Sequence, residues 1–134
     1  MARPSDEMLL QQAWVAREQA CCPYSGFAVG AALECADGAV YTGCNVESSS
    51  YGLTCCAERI ALFTALAAGA RSFRRIAIVA EAPRVCPPCG ACRQVLADYA
   101  PGLLVLMANR TDRLTLGLDE LYPHSFDQHF LAQP

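Results

Sequence analysis

Long apolar runs and basic clusters are missing from this sequence, and histidine is scarce, with only two in 134 residues. No stretch approaches the ~18 consecutive apolar residues that cross a membrane, so no membrane partner is expected. The opening "MARPSDEMLLQQAW" places acids ahead of any apolar run, unlike a secretory leader, and a cytoplasmic location is expected. Ten basic against thirteen acidic residues leave a net charge of −3, and the densest basic cluster is Arg71, Arg74 and Arg75. A nucleic acid needs a positive groove to neutralise its phosphates; none is expected as a partner. No linker, repeat or low-complexity run divides the chain, which predicts one domain over residues 1–134, large enough to bury a core without staples. Charged residues make up 17% and hydrophobic residues 54%. That balance excludes disorder and leans toward surface buried against other subunits.

Cysteine, by contrast, is abundant. Nine is an odd number, which leaves one over in any complete disulfide scheme. In a reducing compartment clustered cysteines are metal ligands or catalysts more often than bridges. Two stretches concentrate them: "TCCAERI" with Cys55 and Cys56, and "VCPPCGACRQV" with Cys86, Cys89 and Cys92.

Ser5 is a candidate N-cap with Asp6 and Glu7 in the first turn, where the helix dipole favours acids. Leu9, Leu10, Ala13, Trp14 and Ala16 then keep helical spacing to about Ala20. "VGAALECADGAVYTGCNV" predicts a hairpin turning at Asp37-Gly38. A helix is expected from Cys56 to about Ala68, halted by Gly69, and a buried strand over 75–80. Pro88 marks the start of a second helix, "CGACRQVLADYA", stopped by Pro101-Gly102. "LLVLMA" is a further buried strand, "RLTLG" an edge strand, and "LDELYP" a short last helix before an aromatic tail. Strands alternating with helices predict one mixed sheet with helices on its faces.

The two cysteine stretches therefore open two helices. A helix N-terminus offers free N–H groups and roughly half a positive charge, which favours thiolate over thiol. Two such ends aimed at one point would hold three thiolates around a zinc ion, and Arg59 would offset the excess negative charge. Three protein ligands leave a tetrahedral position for water, the mark of a catalytic zinc. Glu58, two residues after Cys56, is the candidate to move that water's proton. Other readings of the cysteines are weaker. A ferredoxin-like "CPPCGAC" would want a fourth cysteine at position 96 followed by proline, where this chain has Leu96 and Ala97. A four-cysteine structural zinc using Cys86 leaves Glu58 without a role.

Cys-Ala-Glu at 56–58 followed by Pro-Cys-Gly-Ala-Cys at 88–92 resembles the zinc-dependent cytidine deaminases, specifically the small homotetrameric type. "YSGFAVGAAL" (24–33), "GCNVE" (43–47), "CAER" (56–59), "PCGACRQV" (88–95) and "ELYPHSF" (120–126) follow that family's order. The resemblance implies an α/β fold, a single three-layer domain with a mixed five-stranded sheet between helices. It implies one zinc per chain on Cys56, Cys89 and Cys92. Glu58 would carry protons to N3 of the cytosine ring and to the leaving amine, and the Ala57 amide would meet the ring's polar edge. Asn45 and Glu47 would bind the ribose 3′-hydroxyl, and Phe27 would pack on base or sugar. Ser49 (through its backbone), Tyr51 and Phe126 would enter a neighbouring subunit's site, so a homotetramer with shared sites is expected. The implied reaction converts cytidine and 2′-deoxycytidine to the uridine forms plus ammonia in pyrimidine salvage.

Ser48-Ser49 stands where the family commonly has Asn-Ala, and Ile60 where it has Thr. A modified cytosine nucleoside or a cytosine-containing antibiotic is thus the alternative substrate, and a polynucleotide-acting deaminase or binding factor a more remote one. Cys21, Cys22, Cys35 and Cys44 are expected to be small buried hydrophobes. His124 and His129 are expected at the surface.

Overall fold

The computed structural model describes residues 3–131. Its elements are α1 (Asp6–Arg17), β1 (Val29–Cys35), β2 (Val40–Cys44), a 3-10 turn (Tyr51–Leu53), α2 (Ala57–Ala67), β3 (Phe73–Ala80), α3 (Gly90–Tyr99), β4 (Leu104–Ala108), β5 (Arg113–Gly117), α4 (Leu118–Leu121) and a final 3-10 turn (Gln128–Leu131). The strands form one sheet in the order β2-β1-β3-β4-β5. β3 and β4 pair in parallel and every other neighbouring pair is antiparallel. The expected mixed five-stranded sheet is therefore present.

Alternation along the central strands separates two cores. Ala32, Ala77, Val79, Leu106 and Ala108 face α1 through Leu9, Leu10 and Ala13. Leu33, Ile76, Ile78, Val105 and Met107 face Ala57, Ala61, Leu62 and Ala65 of α2 and Leu96 of α3. All seven β1 residues are buried, as expected for a strand covered on both faces. That includes Glu34, which an apolar reading of "VGAALEC" overlooks: its carboxylate is fully buried and pairs with Arg75 of β3.

Ser5 caps α1 by accepting the Met8 N–H, but the helix ends at Arg17 rather than near Ala20. Glu18, Gln19 and Ala20 donate to carbonyls three residues back, and Cys21 is then drawn into a bond with the Asn45 carbonyl. Tertiary pairing overrides helical propensity there. The expected hairpin forms, with Gly38 at φ 92° in its turn.

Register brings Val29, Cys44 and Ala80 to one end of the sheet, with Ala108 alongside. From that end the chain leaves to begin α2 and α3, so both helix N-termini gather there. Gly43 sets how closely α2 approaches. A Cβ at this position would lie 2.5 Å from both the Ala57 carbonyl oxygen and the Ala61 nitrogen, and neither is a flexible side chain that could swing away. Gly43→Ala is expected to cost about 1–3 kcal/mol through overpacking. It should also weaken zinc binding by displacing the first turn of α2. Denaturant unfolding and a zinc titration check the two effects.

Candidate metal centre and active site

Cys56 is the N-cap of α2 and Cys89 the N-cap of α3; Cys92 is the third residue of α3. Each helix thus begins one residue later than the sequence predicts, with a cysteine at the boundary instead of in the first turn. The Sγ atoms of Cys56 and Cys89 are 3.6 Å apart, and so are those of Cys89 and Cys92. All three lie within 4.8 Å of one another, the one such metal-competent group among the described residues. Sulfurs each about 2.3 Å from a tetrahedral ion sit about 3.8 Å from one another, so this triangle fits zinc. Three soft sulfur donors also select zinc over magnesium or calcium.

Electrostatics favour such a charge. The Cys56 thiol is lowered to about 5, chiefly by a hydrogen bond from Cys92 and further by Arg59 and Cys89. The same bond, with burial, pushes the Cys92 thiol far above its ordinary range, and metal binding would displace its proton. Arg59 Nη2 donates to Cys56 Sγ at 3.5 Å and to the Thr54 carbonyl at 3.3 Å. Its Nε is buried without a partner among the described residues. The guanidinium is held against the sulfur cluster.

Glu58, the second residue of α2, is only 4% exposed. Burial pushes its carboxyl up to about 7, and the Cys56 charge adds to the effect. A carboxyl poised near neutrality can both take and give a proton at working pH.

The other cysteines stay out of the cluster. Cys55 pairs backbone to backbone with Val46. Cys86 lies near enough to feel Glu58, Cys56 and Cys89, but burial raises its thiol to about 11 and its Sγ approaches the Pro87 carbonyl at 3.7 Å. Of the four cysteines expected to be buried, only Cys35 is; Cys22 and Cys44 are half-buried and Cys21 is exposed. Cys21 sits at a chain crossing where its backbone pairs with Asn45 and Glu47 and its Sγ donates to the Gln19 carbonyl at 3.7 Å. His124 and His129 are exposed, as expected.

Among the expected substrate residues, Asn45 bonds to the Phe27 backbone and Glu47 shares a cleft with Tyr51, whereas Phe126 lines a separate one with Gln94, Asp98 and Tyr99. Asn45 is 8% exposed; its Oδ1 accepts the Val29 N–H at 2.9 Å and its Nδ2 donates to the Phe27 carbonyl at 2.8 Å. It therefore pins the loop that carries Phe27, which leaves one amide N–H for a ligand. Glu47 Oε1 accepts the N–H groups of Tyr24 at 3.0 Å and Ser25 at 3.1 Å, and Oε2 accepts the Ser25 hydroxyl. Tyr24, Ser25, Glu47, Tyr51 and Thr54 line a cleft of about 330 Å³. Tyr24, Ser25 and Thr54 are not among the expected site residues, although "YSGF" carries the resemblance. Ser48, one of the departures from the family form, makes a turn: its Oγ accepts the Ser50 N–H and its own N–H meets Thr54 Oγ1, both at 3.1 Å. Ser49 is exposed beside it. Phe126 is half exposed and stacks on Phe130 with centroids 5.5 Å apart.

A sheet whose end carries three cysteine sulfurs at two helix N-termini, with a buried and readily protonated carboxyl beside them, defines a thiolate-ligated zinc enzyme. Residues 3–108 match the family described as the cytidine and deoxycytidylate deaminase zinc-binding region. The cytidine deaminase of Halalkalibacterium halodurans is 49% identical over 122 residues, which cover 90% of this chain and 92% of that protein. That of Sporosarcina psychrophila is 44% identical over 128 residues, 94% of each chain. The crystal structure of cytidine deaminase from Burkholderia pseudomallei superposes with a TM-score of 0.90 at 48% identity, covering 92% of this chain and all of that one. The chain belongs to the cytidine and deoxycytidylate deaminase family.

Proposed function

We propose that the protein hydrolyses cytidine and 2′-deoxycytidine to uridine and 2′-deoxyuridine, releasing ammonia. The observation that carries this is Glu58, a buried carboxyl on the first turn of α2, beside a three-sulfur cluster that opens two helices. Cys56, Cys89 and Cys92 hold the zinc, one per chain. When bound, the metal acts as a Lewis acid that lets water ionise near neutral pH. Glu58 accepts the proton from the attacking water and delivers it to ring N3, then takes the remaining proton of the hydroxyl added at C4 and passes it to the exocyclic amine, which leaves as ammonia as the C4–N bond breaks and the C4 carbonyl forms. Arg59 holds the Cys56 thiolate in its charged form. The Ala57 amide, at the free N-terminus of α2, donates to the polar edge of the base. Phe27 packs against base or sugar, on a loop that Asn45 fixes. Glu47 receives a sugar hydroxyl, and Asn45 has one N–H left to share in that contact.

Ser49, Tyr51 and Phe126 serve a neighbouring subunit's site in a homotetramer. Exposed apolar side chains support assembly: Tyr51 is 75% exposed, Leu53 74%, Phe63 44% and Phe130 73%, a surplus that subunit contacts would cover. Full activity in a monomer, shown by sedimentation at assay concentration, would contradict shared sites. The protein works in the cytoplasm on nucleosides of pyrimidine salvage; a reporter fusion localised by cell fractionation tests the compartment.

Ultraviolet assays of cytidine, 2′-deoxycytidine, cytosine and single-stranded DNA test the reaction itself. Loss of both nucleosides with equal ammonia release is expected, with little turnover of cytosine, which has no sugar for Glu47, or of DNA, whose phosphates meet a chain of net charge −3. Preferential turnover of cytosine or DNA would contradict this reading.

A further inference from the structure

The geometry points to Ser25 as a positioning residue that aims the Glu47 carboxylate at the sugar of the substrate. The inference rests on the proposed function above, in which Glu47 receives a sugar hydroxyl.

Three observations carry it. First, Ser25 Oγ accepts the Phe27 N–H at 3.0 Å while its hydroxyl donates to Glu47 Oε2, a carboxylate oxygen that can only accept. Second, the Tyr24 and Ser25 N–H groups occupy Oε1 at 3.0 and 3.1 Å. A carboxylate offers about four acceptor sites; three are filled from one loop, and the remaining one is on Oε2. Third, Glu47 and Ser25 both line the cleft of about 330 Å³ beside the metal end of the sheet. The Ser25 hydroxyl therefore decides which way the unused lone pair of Oε2 faces. Hydrogen bonding from Ser25 also holds the Glu47 carboxyl below its ordinary range, so it remains an acceptor at any working pH. Ser25 need not touch the substrate; it acts through Glu47.

The test compares wild type, Ser25→Ala and Ser25→Thr on cytidine and on 2′,3′-dideoxycytidine, which lacks the sugar hydroxyls at issue. For Ser25→Ala on cytidine, KM should rise about tenfold with kcat changed by less than about twofold. Ser25→Thr, which keeps the hydroxyl, should restore most of the loss. On dideoxycytidine, Ser25→Ala should match wild type, since the contact it aims no longer exists. In a Glu47→Gln background, Ser25→Ala should add little further. Equal penalties on the two nucleosides, or none on either, would overturn the inference while leaving deamination intact. A wild type that consumed neither nucleoside would overturn the proposed function, and this inference with it.

Discussion

Glu58→Gln is expected to lower kcat on cytidine by about 10²–10⁴-fold, the span of a lost general acid–base group, with zinc content still near one per chain. Glutamine keeps the shape of the side chain but cannot exchange a proton. Because burial already favours the uncharged carboxyl, the neutral amide should fit without unfolding the first turn of α2. The same burial has a thermodynamic signature in chelator-treated protein. An acid whose pKa rises from 4.5 unfolded to about 7 folded stabilises the fold at low pH, and that contribution is lost as pH climbs through 7. Wild type should therefore lose stability relative to Glu58→Gln between about pH 4.5 and 7. Steady-state kinetics with metal analysis, and urea unfolding across that range, check both statements. Wild-type turnover by the Gln variant would mean that another group moves the proton.

Cys92→Ser should release the metal. Its Sγ is fully buried and 3.6 Å from Cys89 Sγ, and a serine hydroxyl neither ionises at neutral pH nor matches the reach of sulfur. Two thiolates cannot hold the ion as three do, so zinc should fall from about one per chain to near zero after dialysis, and deamination with it. Structural zinc sites bind with about 10–16 kcal/mol of apparent free energy, so the folded state should also melt earlier. Cys86→Ser is the control. It alters a thiol in the same "VCPPCGAC" stretch that lies outside the cluster, and it should keep both metal and activity. Metal analysis of the two variants reads the contrast directly.

Much of this architecture is legible in local sequence because the signals are local. Asp37-Gly38 dictates the hairpin, Pro88 the start of α3, and Gly69 the end of α2. The cysteine spacing, read with Pro88, separates Cys89 and Cys92 from Cys86 without any structure. What escaped was long-range pairing, for which a single chain carries no periodic signal. The end of α1 is decided by Cys21 meeting Asn45 across the fold. Glu34 lies inside an apolar strand yet is fully buried, because Arg75, distant in sequence, comes alongside it. Asn45 looks like a ligand in the motif "GCNVE", but most of its hydrogen bonding serves the Phe27 loop. The wrapping of Tyr24 and Ser25 around Glu47 likewise joins segments over twenty residues apart.

In the proposed site three cysteines, and not four, hold the metal and leave a position for chemistry beside Glu58. Zinc-edge X-ray absorption of the loaded protein tests it most directly. Three sulfur neighbours at about 2.3 Å and one oxygen neighbour at about 2.0–2.2 Å are predicted, unchanged by Cys86→Ser. Four sulfur neighbours, falling to three in the Cys86→Ser variant, would show a closed structural site and contradict a three-cysteine catalytic centre.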